Sequence, residues 1–75
     1  MKNIKLLRIT KELTQLNVQM HTGINQSILS KYESGTYLPT TENLLILAKF
    51  YNTNLDYLMD LTDMEEPYPR KKFII

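Results

Sequence analysis

The stretch Thr14-Gln15-Leu16-Asn17-Val18-Gln19-Met20-His21-Thr22-Gly23-Ile24-Asn25-Gln26-Ser27-Ile28-Leu29-Ser30-Lys31-Tyr32-Glu33-Ser34-Gly35 reads as two short helices on either side of a glycine turn. Thr14 stands before the first of them, and a threonine hydroxyl is a good N-cap because it accepts from a free N–H of the first turn. Val18 continues the apolar stripe. Gly23 ends the helix in a conformation that favours glycine. Asn25 is the next N-cap candidate, so the following helix is predicted from Gln26 to about Glu33. Leu29 and Tyr32, three apart, share one face of it. At about 100° per residue, Gln26, Ser27, Ser30, Lys31 and Ser34 fall on the opposite face, with Ile28 at the boundary. Val18, Ile24, Leu29 and Tyr32 are the residues expected to fill the angle between the helices. That packing turns the polar face outward.

Working outward, Ile4, Leu7 and the stem of Lys11 lie at helical spacing and predict a first helix over about residues 3–11. After the loop Thr36-Tyr37-Leu38-Pro39, Thr40 or Thr41 caps a helix to about Tyr51. In it Leu44, Leu47, Ala48 and Tyr51 follow the i, i+3, i+4, i+7 pattern. Asn52 can stop it. Asn54 caps a fifth helix, with Leu55 and Leu58 inward and Asp56 near its positive end. Beyond about residue 61 the periodicity fades, and Pro67 and Pro69 forbid a regular helix. Lys71 to Ile75 reads as a short strand or a loose tail. The expected fold class is all-α: a five-helix domain over residues 1–61 with a C-terminal tail over 62–75. A chain of 75 residues is one domain with a modest core.

Composition narrows the function classes. There is no cysteine and a single histidine, His21. Disulfides and thiolate metal sites are thereby excluded, and no metal or cofactor is expected. No His, Asp or Glu is paired with a candidate nucleophile and there is no glycine-rich phosphate loop, so the chain does not read as an enzyme. The first apolar run, Ile4 to Ile9, is broken by Lys5 and Arg8. Nothing approaches the roughly 20 apolar residues that span a bilayer. The expected location is the cytoplasm. Net charge is +1, but residues 1–53 carry six basic and three acidic side chains, whereas 54–66 carry five acids and no base. A polyanion would prefer the body of the chain.

The outward face of the Gln26 helix fits that charge. A bare helix enters the major groove of B-DNA, about 12 Å wide. Glutamine can pair bidentately with adenine, and serine can donate or accept. At this point a resemblance is plain in a series of ordered pieces: Leu13-Thr14-Gln15; Gly23-Ile24-Asn25-Gln26-Ser27; Ser30-Lys31-Tyr32-Glu33-Ser34-Gly35; Pro39; Glu42-Asn43-Leu44-Leu45; Leu47-Ala48-Lys49; Leu55-Asp56-Tyr57-Leu58. Over about residues 3–60 the chain resembles the helix-turn-helix domain of the phage repressor and Cro family, also called the Xre family. The resemblance implies a lambda-repressor-like fold and binding to double-stranded DNA. It also implies roles: Gln15 reaches a phosphate and braces Gln26; Gln26, Ser27 and Lys31 face base edges; Ser30 touches sugar or phosphate. Arg8 and Glu33 match a structural ion pair. Asn25 is primarily a cap with a possible base contact, and Tyr37 lies beside the expected phosphate path.

Three departures from the family pattern stand out. Gln19 replaces a usual alanine at the closest approach of the two helices, so either the angle opens or Gln19 tilts outward. Thr22 replaces a common leucine. Thr36-Tyr37-Leu38 replaces basic residues that grip phosphates, leaving only backbone N–H groups and two hydroxyls. The family dimerises through the far end, and spare apolar residues there make Phe50, Tyr57, Met59, Leu61 and Phe73 the expected homodimer interface. The leading expectation is a repressor acting as a homodimer on a palindromic operator. The alternative is a protein-interaction module or antitoxin-like partner protein on the same fold, with weak DNA binding.

Overall fold

A computed structural model describes residues 1–69; Phe73 and the suggested strand over 71–75 lie outside the described residues. Five helices follow one another: α1 (Lys2–Thr10), α2 (Gln15–Thr22), α3 (Gln26–Ser34), α4 (Thr41–Tyr51) and α5 (Leu55–Leu58). Among the described residues there is no strand. Each helix from α2 onward starts where a side chain accepts from its first turn. Thr14 accepts from the Asn17 N–H at 3.0 Å, and the Asn17 side chain accepts from the Thr14 N–H, closing a capping box. Asn25, Thr40 and Asn54 cap α3, α4 and α5 one way, accepting from the N–H groups of Ser27, Asn43 and Tyr57. Gly23 and Gly35 end α2 and α3 with φ of 77° and 81°, the left-handed region that an L side chain adopts at a cost.

The core is a single cluster in which Ile4 and Leu7 of α1, Val18, Ile24, Leu29, Tyr32, Leu47, Tyr51 and Leu58 are all buried. Val18, Ile24, Leu29 and Tyr32 occupy the space between α2 and α3, as their spacing required. Lys11 lies beyond α1 and is exposed, so its stem adds nothing to the α1 stripe. Tyr32 places its ring in this core and its hydroxyl accepts from Asn43 Nδ2 at 2.8 Å, so the buried phenol keeps a partner.

α1 is the exception to local capping. Met1 makes no side-chain cap. The acceptor comes instead from Asp60, which takes the backbone N–H of Lys2 at 3.0 Å and of Asn3 at 2.8 Å. A carboxylate at a helix N-terminus satisfies two orphan donors and opposes the helix dipole. Asn3 Nδ2 adds a bond to the Tyr57 carbonyl at 2.8 Å.

The far end is closed by side chains rather than by a helix. Thr53 and Asn54 are buried and polar. Thr53 donates to the Glu65 carbonyl at 2.5 Å, and Asn54 Nδ2 donates to the carbonyls of Met64 and Glu66 at 2.8 and 2.7 Å. Tyr68 donates to Asp56 Oδ2 at 2.6 Å, which raises the tyrosine's pKa above its ordinary value. Residues 64–68 therefore lie on their own domain. One expectation needs correcting here. Tyr57, expected at a dimer interface, is 7% exposed and belongs to the core. α5 is a single turn whose Tyr57 and Leu58 face inward together, while Leu55 is only half-buried.

Candidate nucleic-acid interface

The outward face of α3 presents Gln26, Ser27 and Ser30 as exposed residues, with Lys31 half-buried at its edge. At its start, Asn25 Oδ1 accepts from the Ser27 N–H at 2.8 Å and from the Ser27 hydroxyl at 2.5 Å. Asn25 is thus a cap that also holds a candidate base-contacting hydroxyl. At its end, Lys31 Nζ donates to the Tyr37 hydroxyl at 3.3 Å and sits 4.5 Å from the centre of that ring. An exposed cation–ring contact of this kind contributes about 0.5–1 kcal/mol, weak enough for a phosphate or base to displace it.

The loop after α3 is spent on its own helix. The N–H groups of Thr36 and Tyr37 both donate to the Lys31 carbonyl, at 2.9 and 3.2 Å. These two amides were expected to be open to phosphate and are not. The Ser34 and Thr36 hydroxyls bond each other at 2.8 Å. The Met1 amino nitrogen donates to the carbonyls of Tyr32 and Glu33 at 2.9 and 3.1 Å. The Glu33 carbonyl at the end of α3 thereby finds a donor, and the Tyr32 carbonyl, which already accepts from the Gly35 N–H, a second one.

Behind the face, Arg8 and Glu33 fix α3 against α1. Arg8 Nε and Nη2 donate to the two Glu33 oxygens at 2.7 and 2.9 Å, and Nη1 donates to the Leu13 carbonyl at 2.9 Å. The two side chains are 15% and 5% exposed. Such a forked pair adds direction as well as energy. The hydrogen bond to Glu33 raises the arginine's pKa further, against the desolvation that lowers it. Burial, reinforced by the Glu33 charge, pushes the nearby Tyr51 hydroxyl up to about 12.

Gln15 departs from the expectation, and Gln19 and Thr22 make bonds that the sequence does not announce. Gln15, implied to brace Gln26, instead donates from Nε2 to Glu33 Oε1 at 3.2 Å and so joins the ion pair. Its place beside Gln26 is taken by Gln19, whose Oε1 accepts from the Gln26 N–H at 2.7 Å. Thr22, the second departure from the family pattern, donates to the Val18 carbonyl at 2.7 Å and accepts from the Ile24 N–H at 3.1 Å. Its hydroxyl ties the turn that a leucine would pack. The sequence marked Gln19 and Thr22 only as unusual. Lys5, which the sequence marks only as a break in the first apolar run, lines a hollow with Arg8, Gln15, Ser30, Glu33 and Ser34, beside the outward face. Being a cation outside the Arg8–Glu33 pair, it suits a phosphate there.

The expected interface residues divide. Phe50 is half-buried, 4.9 Å from Tyr51 and 5.8 Å from His21 between ring centres, so it packs within its own domain. Met59 and Leu61 are exposed at 40% and 69%. Among the described residues no three His, Cys, Asp or Glu side chains converge as metal ligands. None of the described helices is long and apolar enough to cross a membrane.

Two capped helices across a left-handed glycine, with a polar face turned out, match a known family over residues 1–64, that of the helix-turn-helix domain. The chain belongs to the helix-turn-helix domain family. It is 31% identical over 71 residues to an uncharacterized HTH-type transcriptional regulator, YobD, of Bacillus subtilis, covering 95% of this chain and 63% of that protein. It is 43% identical over 53 residues to the antitoxin PezA of Streptococcus pneumoniae, covering 71% of this chain and 34% of that protein. The HTH-type transcriptional activator BcrR of Enterococcus faecalis is 31% identical over 58 residues, covering 77% of this chain and 28% of that protein. The chain thus spans less than two thirds of the length of each of these relatives. No solved structure matches it. Its all-helical order and its relatives agree with a domain of the Xre type.

Proposed function

We propose that this chain is a sequence-specific, cytoplasmic regulator of transcription that binds double-stranded DNA as a homodimer on a palindromic operator, and represses by occupying a promoter. The observation that carries the reading is the outward face of α3, where Gln26 and Ser27 stand exposed on a helix pinned from behind by Arg8 and Glu33. Gln26, Ser27 and Lys31 read base edges, while Gln15, Ser30, Tyr37 and Lys5 serve the phosphates. Asn25 holds the helix start. Two copies joined through Met59 and Leu61 would set their recognition helices about 34 Å apart, one turn of DNA.

The test is selection of bound sequences from a random duplex pool, followed by affinity against salt. Enrichment of a palindrome is expected. With the loop amides engaged and few cations at the face, about 4–6 phosphates are neutralised per dimer, and log K falls against log salt with a slope of about −4 to −5. Failure to enrich any sequence at low salt overturns the regulator. In sedimentation, Leu61→Glu is expected to yield monomers; an unchanged mass removes Leu61 from the interface.

A second reading is favoured by the likeness to an antitoxin: a partner protein on the same fold that binds DNA weakly. The acidic stretch over 54–66 could face a basic partner, although Asp60 and Asp56 are already engaged within the domain.

A further inference from the structure

We propose that Gln19 is a positioning residue for base recognition: it sets the aim of Gln26 by accepting the first N–H of the recognition helix. The inference rests on the DNA-reading role given to Gln26 above. Gln26 is the first residue of α3, and its N–H is one of the orphan donors at the helix start. Asn25 cannot supply the acceptor, because its side-chain oxygen already takes the N–H and hydroxyl of Ser27. Gln19 reaches across from α2 and supplies it at 2.7 Å. The backbone carbonyl of Gln19 meanwhile accepts the Gly23 N–H at 2.8 Å. A single residue thus clamps both ends of the turn, one with its main chain and one with its side chain. Gln15, which could have braced the Gln26 side chain, is drawn away by Glu33. The brace has therefore moved from the side chain of Gln26 to its backbone. Positioning within about 0.5 Å decides whether a bidentate amide can reach adenine, so this bond governs base preference rather than bulk affinity.

The test compares Gln19→Met, which keeps the length and removes the acceptor, with Gln19→Glu, which keeps an acceptor. Each variant of the chain is put through selection from the random duplex pool, and its binding to the enriched and to base-substituted duplexes is measured. Gln19→Met is expected to lose about fivefold to tenfold in discrimination at the one position per half-site that Gln26→Ala also relaxes. Gln19→Glu is expected to keep that preference while binding every duplex more weakly, since it brings a negative charge to DNA. In a Gln26→Ala background, Gln19→Met is expected to change discrimination no further, the sign that the two act as one unit. A uniform loss on all duplexes in Gln19→Met, or an unchanged preference, overturns the proposal. So does equal relaxation in Gln19→Met and Gln19→Glu. If the wild type enriches nothing, the regulator reading falls and this proposal with it; if the wild type enriches a site and Gln19→Met keeps its preference, this proposal falls alone.

Discussion

The turn between α2 and α3 and the closure around α5 hold the same kind of bond, side chain to backbone, but at very different separations in the chain. At the turn, Thr14 caps Asn17, Thr22 bonds Ile24 and Asn25 bonds Ser27, all within three residues. Around α5, Asp60 caps a helix that starts 58 residues earlier, and Asn54 holds carbonyls 10 and 12 residues later. The first set needs only residues that are neighbours in the chain. The second exists only once α1, α5 and the C-terminal segment have met. The turn therefore owes its shape mainly to local chemistry, with the Gln19–Gln26 bond, seven residues apart, added once α2 and α3 pack, and the closure records the finished fold.

That contrast can be broken from either side. The largest effect is expected at the link behind α3. Arg8→Ala strands a Glu33 carboxylate that is 5% exposed, and should cost about 3 kcal/mol in urea unfolding. Arg8→Lys keeps the charge but not the fork and should recover only part of it. Next comes Asn54→Ala, which removes a buried cap and two part-buried bonds at once. A loss of about 2 kcal/mol is expected, with faster amide exchange in α5, whose Tyr57 N–H the Asn54 side chain accepts. Asp60→Ala should cost about 1 kcal/mol through loss of the α1 cap, and Asp60→Asn less, since asparagine tolerates the φ of 63° found there. A closure variant that weakened DNA binding as much as it weakened folding would mean the two ends are not separate.

The smallest effect is silent at neutral pH. The Tyr51 hydroxyl is raised from 10.0 to about 12 by burial and by the Glu33 charge. A raised pKa holds the proton more tightly in the folded state. The stabilisation is therefore complete below pH 10 and lost as pH climbs toward 12. Tyr51→Phe should flatten that alkaline decline in thermal unfolding, and an unchanged decline would assign it to another group.

What was legible in the sequence follows the same division. Thr14, Gly23, Asn25, Gly35 and Asn54 announce helix ends because their partners are neighbours in the chain, and Val18, Leu29 and Tyr32 announce a core because helical spacing puts them on inner faces. Asp60 looked like part of an acidic run, since nothing near it names α1 as its partner. Tyr57 looked spare because a one-turn helix has too short a pattern to tell inner from outer. Gln19 was visible as an oddity without a role: only the packed turn shows that its amide reaches the first N–H of α3, and that Gln15 has been claimed by Glu33.

The most direct test of the reading of α3 is the affinity of Gln26→Ala for the duplex enriched by the wild type, and for that duplex substituted at each base pair. A loss of about 1–3 kcal/mol is expected, confined to one position in each half-site. An equal loss on random DNA would contradict it, for Gln26 would then be holding the backbone and reading no base.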